Sequence, residues 1–563
     1  MDSNDIARVT RDSPDTRRAA TRQAFSPVLI VITALAAVGV LIYARFLLDP
    51  GNRGDLLPWL VVIAAEGVLV VHALFAMWTM LSATRDPRSY QYWATKERLH
   101  DSAGPEATLA LDGRPVGVEV FVTVYGEPVE VVRRTVTAAL ALRGPHRTWL
   151  LDDGSSDTMR DLADELGCYY LRRRGSAGAK AGNINHALTQ AKGDFFVVFD
   201  ADFVPRPEFI EEVLPFFTDD NVAFVQTPQT YGNLHTMIAR GAGYMQTVFY
   251  RFVQPGRNHF NAAFCVGTNV MFRRAAVHEI GGIYADSKSE DVWTSLKLHE
   301  RGWRSIYLAR ALAVGDAPET IEAYTKQQLR WATGGFEILL RSNPFSRRRR
   351  LTLDQRIMYG ITATHYFTGI APGLLLLVPP MEIYLDLHPV SVGVGVWQWF
   401  AVYAGFYLMQ VLLAFATLGS FRWEVLMLAA VSFPIYLRAW FNALLRREQK
   451  WHVTGSTSAA ASPFNFIIPQ VLAFVFLLVT SVVAVWQVQR QGVVTLGAAW
   501  NITNTLILGT FMVVAWREAR LARRSARRAR RGAAPDDHVD HVDHDTRTGQ
   551  PAGSHRQTEE AAA

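Results

Sequence analysis

Hydrophobic positions in this chain gather into long runs rather than short alternations. Six runs reach the roughly 20 residues that a helix needs to cross a bilayer: Pro27–Ala44, Leu56–Leu81, Ile357–Pro380, Val392–Leu418, Phe464–Trp486 and Leu496–Trp516. The first is too long for a cleavable leader, shows no small-residue cleavage site and is followed at once by a second run. Glu66 and Glu382 lie in or just beyond these runs, where a carboxylate must face protein or water. A seventh apolar stretch, Glu424–Leu445, contains Pro434 and Arg438. Arginine-rich segments stay on the cytoplasmic side, and here they precede the first run, fill Arg347–Arg350 and follow the last run. An even number of crossings keeps all three inside, whereas a seventh would export the eight arginines between Arg517 and Arg531. The 424–445 stretch is therefore expected to lie along the inner interface.

Between the second and third runs, from about Arg85 to Arg350, the pattern changes. Val118–Val124, Thr148–Leu151, Cys168–Leu171, Phe195–Phe199 and Val222–Gln226 read as short buried strands, and Glu130–Leu142 and Thr158–Leu166 as helices between them. That alternation predicts an α/β domain with a mostly parallel, Rossmann-like sheet inserted into an all-α membrane part of about six helices. The expected divisions are 1–26, a cytoplasmic tail; 27–84, two spans; 85–350, the cytoplasmic domain; 351–420, two spans; 421–462, an interfacial helix and loop; 463–516, two spans; and 517–563, a basic and then disordered tail. His538, His541 and His544 recur in that tail with nothing apolar to anchor a metal site, so it is expected to be solvated.

Composition narrows the function. The 57 Lys+Arg against 51 Asp+Glu leave +6, clustered at the edges of apolar runs, which points to a lipid bilayer and not to nucleic acid. Cys168 and Cys265 are too few for a disulfide framework or a cysteine metal centre, and they fit a reducing compartment.

Ligands of open α/β sheets collect at the carboxyl ends of strands, and acids stand there twice. LLDDGSSD places Asp152, Asp153 and Asp157 after one strand, and FDADF places Asp200 and Asp202 after another. The first can equally be a turn. In extended chain, residues two apart project to one side, so Asp200 and Asp202 can share a ligand; two such charges repel unless a hard divalent cation joins them to further oxygens. Lys180 sits among small residues in GSAGAKAGN, where backbone can approach a phosphate. Ser289 is placed to cap a helix with Glu290 and Asp291 in its first turn and Gly302 at its end. Gln327, Arg330 and Trp331 lie on an amphipathic stretch just before a membrane run, where interfacial anchoring is the plainer reading.

Together VYGEP, DDGSSD, AKAGN, DAD, FCVGT, SED, HERGW and QQLRW, followed by paired spans, resemble the processive family-two glycosyltransferases, and most closely the cellulose synthase catalytic subunits, over about Val116 to Trp516. The resemblance implies a GT-A fold, a UDP-sugar donor, a Mg²⁺ or Mn²⁺ cofactor and a polysaccharide or glycolipid acceptor. It places Tyr125, Glu127, Asp152 and Asp153 at the nucleotide, Lys180 and Asp200 near the diphosphate, and Asp200 with Asp202 at the metal. It makes Asp291 the general base. Gln327 and Arg330 go to the diphosphate, Trp331 with Val266, Gly267 and Thr268 to the acceptor, and Lys450–Ser456 to a gating loop. One base without a second nucleophile implies inversion at the anomeric carbon.

The sequence departs from the family at TVYGEP, at Phe264–Thr268, at Ser289 and at Ser456. These departures fall on the acceptor side and leave sugar and acceptor open. No cyclic-di-GMP-binding PilZ domain follows, so such regulation would need another polypeptide, and accessory export subunits are a further possible partner. The expectation is an inner-membrane, multi-pass enzyme with both termini cytoplasmic that uses UDP-glucose to extend and export a β-linked polysaccharide. The alternatives are a single-sugar transferase to a lipid or short acceptor and, more remotely, a membrane transporter or scaffold.

Overall fold

The computed structural model describes residues 27–83, 86–100, 109–394, 396–447 and 462–532. Two long apolar helices, α1 (Pro27–Leu48) and α2 (Leu56–Ser82), lead into the domain and pack on each other. The domain is built on seven strands: β1 (Val118–Val124), β2 (Arg147–Asp152), β3 (Tyr169–Arg172), β4 (Phe195–Asp200), β5 (Val222–Gln226), β6 (Val270–Arg273) and β7 (Arg304–Tyr307). They form one sheet in the order β7-β5-β6-β4-β1-β2-β3. The pairs β1/β2, β1/β4, β2/β3 and β5/β7 are parallel, and β6 runs antiparallel to β4 and β5. The expected mostly parallel sheet is present, with β6 inserted.

Helices α3 (Val129–Leu140), α4 (Asp157–Leu166) and α5 (Ala179–Gln190) connect the first four strands. Gly167, at φ +73°, takes the left-handed conformation that closes α4 and that a side chain would resist. All seven residues of β1 and the first five of β4 are buried, which is why these strands read as continuous apolar runs. Phe196 of β4 stacks between Phe121 and Phe272, with centroids 5.5 and 5.2 Å away, and ties β1, β4 and β6 together. The chain reverses its direction of winding between β1 and β4, so the crevice of the sheet opens beyond the carboxyl ends of those strands. In register Thr123 of β1 lies beside Asp200 of β4, and Val124 beside Asp152 of β2.

Helix α6 (Met237–Val248) lies between β5 and β6, α7 (Glu290–Glu300) between β6 and β7, and α8 (Ile321–Arg341) follows the sheet. The run Ile357–Pro380 is not one span. Its first part belongs to α9 (Leu353–Thr364), opened by a Thr352–Gln355 capping box. This helix is fastened to the domain: Gln355 Nε2 donates to the Asn261 carbonyl at 2.8 Å, Arg257 to the Met358 carbonyl at 2.9 Å, and Tyr359 Oη meets His299 Nδ1 at 2.7 Å. The stretch apolar and long enough to cross is Phe367–Leu385, made of α10 (Phe367–Leu375) and α11 (Val378–Leu385). Apolar residues of α9 were counted as lipid-facing from sequence, but part of them covers protein.

Helix α12 (Val396–Leu418) packs along α1, with the Tyr43 and Tyr403 rings 5.9 Å apart. Then α13 (Trp423–Val431) and α14 (Phe433–Leu444) meet at a 43° bend beside Pro434. Both are held to the domain, α13 through Arg240 and Glu424 at 2.9 Å and α14 along the length of α8. Lys450–Ser456 lies outside the described residues. Helices α15 (Ile468–Gln491) and α16 (Leu496–Gly532) complete the described residues, the latter running 16 residues beyond the expected end of its span into the arginine-rich segment. Among the described residues five helical segments are long and apolar enough to cross a membrane, or six if the bent pair counts as one. Glu66 is buried, and Glu382 accepts from the Gly497 amide at 2.9 Å, at the start of α16.

Candidate active site

Asp200, the last residue of β4, and Asp202, just beyond it, open onto a cavity of about 140 Å³. Of the residues expected from the sequence, Tyr125, Glu127, Asp153, Lys180, Asp200, Asp202, Val266, Gly267, Asp291, Gln327, Arg330 and Trp331 all line it. Asp152 and Thr268 are not among its lining residues. Asp152 is fully buried, and its carboxylate accepts from the Gly154 and Ser156 amides at 2.8 and 2.6 Å and from the Tyr170 hydroxyl at 2.8 Å. It shapes the turn that presents Asp153, which is paired with Arg173. Thr268 is buried behind the site, where its Oγ1 accepts from the Asp200 amide at 2.9 Å and so aims that strand end.

Charge is concentrated here. Lys180 Nζ donates to Asp200 and, at 2.6 Å, to the Gly267 carbonyl. Burial alone would lower its pKa, but Asp200, Glu290 and Asp291 outweigh that and raise it, so Lys180 stays a cation. Gly267 has φ +83°, and a Cβ there would stand 3.4 Å from Lys180 Nζ and 3.6 Å from Asp291 Oδ2. Its bare backbone leaves both groups facing open space. On the other side, burial together with the charges of Asp200, Asp316 and Glu127 pushes the Asp202 carboxyl up to about 8. Glu127 is raised chiefly by burial, against the Tyr125 amide that donates to it at 2.6 Å.

Such a group of oxygen donors fits a hard divalent cation, which would relieve the repulsion among the carboxylates. Among the described residues no three His, Cys, Asp or Glu side chains form a self-sufficient metal site. Asp200 and Asp202 could hold such an ion, whose remaining positions would be open to other oxygen ligands.

Asp291 stands in the first turn of α7. Ser289 occupies the cap position, but its hydroxyl accepts no capping hydrogen bond; a Cβ on Gly334 of α8 would come within 1.9 Å of it. That close approach brings α8 against the start of α7. Asp291 Oδ1 accepts from the Val292 amide at 2.8 Å, and its carbonyl accepts from Ser295 Oγ at 2.9 Å. Burial, followed by the neighbouring Glu290, pushes the Asp291 carboxyl up to about 7, with Lys180 and Arg330 acting against the shift. A carboxylate in that range suits proton abstraction near neutrality.

Spacing of three and four residues puts Gln327, Arg330 and Trp331 on one face of α8. The start of this helix is tied twice. Thr320 Oγ1 accepts from the Ala323 amide at 3.1 Å, and Glu518, on the last helix, accepts from the Ile321 amide at 3.0 Å. Sequence reasoning missed Glu518, because nothing in a span's arginine-rich extension marks one carboxylate as a cap for a helix nearly 200 residues away. It also missed Asp316, Gln229 and Tyr231, which line the cavity and belong to none of the motifs singled out in the sequence.

The sheet, the paired carboxylates at its switch point and a matching family model define the class. Residues 115–334 match the model of glycosyltransferase like family 2, and residues 277–482 match that of cellulose synthase. A cellulose synthase catalytic subunit [UDP-forming] of Xanthomonas axonopodis pv. citri is 36% identical over 266 residues, 45% of this chain and 36% of that protein. Cellulose synthase 1 catalytic subunit [UDP-forming] of Komagataeibacter xylinus is 31% identical over 321 residues, 54% of this chain and 42% of that protein. The chain thus matches less than half the length of these curated relatives. Among solved structures, a mannosyltransferase from Pyrobaculum calidifontis in complex with GDP-Man and Mn²⁺ is similar at TM-score 0.45 and 16% identity, over 69% of this chain and all of that one. Residues 115–482 are thus similar to the family-two glycosyltransferases and the cellulose synthases, and the domain has a GT-A glycosyltransferase fold.

Removing the Glu518 cap is expected to loosen the helix that presents Gln327 and Arg330. A lost cap costs about 0.5–2 kcal/mol, so Glu518→Ala should raise the donor KM by about 2- to 30-fold, while Glu518→Gln, whose amide oxygen still accepts, should remain near wild type. Equal KM values for Glu518→Ala and wild type would show that the contact does not position the site.

Proposed function

We propose that this protein transfers glucose from UDP-glucose to the end of a β-linked glucan, with inversion, and passes the product through its own membrane part. The observation that carries the export reading is a second cavity. It has a volume of about 560 Å³ and shares Val266, Asp291 and Trp331 with the first. From there it extends between Phe249, Tyr250, Phe264 and Tyr366 to the Leu69–Met80 part of α2. A sugar ring has apolar faces that aromatic side chains cover, so a chain leaving Trp331 meets such surfaces rather than bulk water.

In the reaction Asp291 takes the proton of the acceptor hydroxyl as that oxygen attacks the anomeric carbon, and the bond to the diphosphate breaks with its electron pair leaving on the phosphate. Lys180 and Arg330 stand where they can hold the negative charge gathering there. Asp200 and Asp202 would hold Mg²⁺ or Mn²⁺, which when bound neutralises diphosphate charge. Tyr125, Glu127 and Asp153 belong on the nucleotide, with Trp331, Val266 and Gly267 on the acceptor. The arginine distribution supports an inner-membrane topology with the catalytic domain and both ends of the chain inside, α12 among the spans and α13–α14 along the interface. A second reading is favoured by the aliphatic part of the same cavity, which would also seat a lipid: transfer of one sugar to a lipid acceptor.

Membranes containing the full chain, incubated with a panel of labelled UDP-sugars, should incorporate glucose into material that grows with time; a product that stays at one sugar per acceptor would reject the polymer reading. In the same assay Asp291→Asn should lower kcat by about 10²–10⁴-fold with little change in donor KM, because the base acts on the transition state. As the ionised carboxylate is the active form, wild-type kcat/KM should fall about tenfold per pH unit below about 7 and level off above it. A flat acid limb, or normal turnover by Asp291→Asn, would remove Asp291 from this role.

A further inference from the structure

The loop joining α8 to α9 carries four consecutive arginines, Arg347–Arg350, that the reaction does not use. With the ends of α7 and α8 it forms an open groove of about 590 Å³, lined by Arg301, Arg341, Arg348, Arg349 and Arg350, with Glu300 as its acid. Arg349 is paired with Glu300 at 3.1 Å and Arg341 with Glu337 at 3.4 Å. Arg301, Arg347, Arg348 and Arg350 form no ion pair among the described residues. So many guanidinium groups, uncompensated from within, repel one another and leave a standing attraction for an anion.

The height of this groove relative to the membrane follows from two contacts. Thr364, at the end of α9, meets His72 of α2 at 3.1 Å. Met358 is held by Arg257, and Gly256 beside it packs so closely on α2 that a Cβ would fall 1.9 Å from the Thr79 carbonyl oxygen. At a rise of 1.5 Å per residue, the steps from Met358 to Thr364 and from Thr79 to His72 are about 9 and 10 Å. The two contacts therefore order α9 and α2 in opposite directions. Leu353 lies about 7 Å beyond Met358 on the same rise, level with the end of α2 that enters the catalytic domain. That is headgroup depth for a span of 27 residues. Large apolar side chains are exposed on the groove and the segments beside it: Leu353 at 70%, Phe345 at 54% and Leu340 at 41%.

We propose that this groove binds the phosphate headgroups of anionic lipids in the membrane that holds the chain. Guanidinium groups match phosphate oxygens in paired hydrogen bonds, and apolar side chains interleaved with them enter the interface beside the headgroups. The exposed Leu353 and Phe345 favour a lipid over a soluble phosphate, which would gain nothing from them. The binding fixes the carboxyl end of α8, the helix whose middle carries Arg330 and Trp331. The proposal does not rest on the sugar or acceptor assigned above.

Amide hydrogen exchange on the full chain in nanodiscs tests it. Discs containing phosphatidylglycerol should slow exchange over residues 342–352 by about fivefold relative to discs of phosphatidylcholine alone, given about one headgroup attraction per arginine near the surface. Arg348→Gln with Arg350→Gln should abolish that difference while exchange of β1 and β4 stays unchanged, which shows that the domain is folded. Equal exchange in both kinds of disc would overturn the proposal. So would equal slowing by inorganic pyrophosphate in phosphatidylcholine discs, which would assign the groove to a free phosphate ligand.

Discussion

Like charges held close in a poorly solvated place set the terms for this structure. At about 4 Å and an effective dielectric constant near 20, two carboxylates repel by about 4 kcal/mol. The fold collects Glu127, Asp200, Asp202 and Asp316 around one cavity. Lys180 balances part of that charge through Asp200. The rest is visible in the Asp202 carboxyl, pushed up to about 8 by burial and by the three acids around it. A divalent cation bound among these oxygens would relieve that repulsion.

Helix α8 connects this chemistry to the membrane. One face presents Gln327, Arg330 and Trp331 to the cavity, another lies along α14, and its first turn is capped by Glu518 from the last helix. Tyr436 of α14 donates to Gln328 at 2.9 Å, and Tyr324 meets Ser432 at 3.0 Å. The catalytic domain is consequently not hung on flexible linkers. Close packing at Gly256 against Thr79 and at Gly334 against Ser289, where a single added Cβ would collide, holds α2 against the domain and α8 against the start of α7.

Much of this was legible in the amino-acid order, for identifiable reasons. A strand buried on both faces reads as an unbroken apolar run, so Phe195–Phe199 announced β4 and the acids after it marked a strand end. Arg330 and Trp331 were ambiguous alone and became informative only through the order of motifs around them. What stayed hidden depended on contacts between distant segments. Asp152 and Asp153 are adjacent and chemically identical, yet one holds a turn and the other faces the cavity. Thr268 supports Asp200 from behind the site. Strand β6 has only four residues and no alternation, and the third span was displaced because α9 buries apolar residues against protein instead of lipid.

The account stands most directly on metal-dependent nucleotide binding. Titration calorimetry of UDP into the purified full chain should give an affinity at least about tenfold higher with Mn²⁺ or Mg²⁺ than with chelator, equivalent to about 1.4 kcal/mol, and Asp202→Asn should erase most of that difference. UDP binding of equal strength with and without the metal, or undiminished metal dependence in Asp202→Asn, would contradict it.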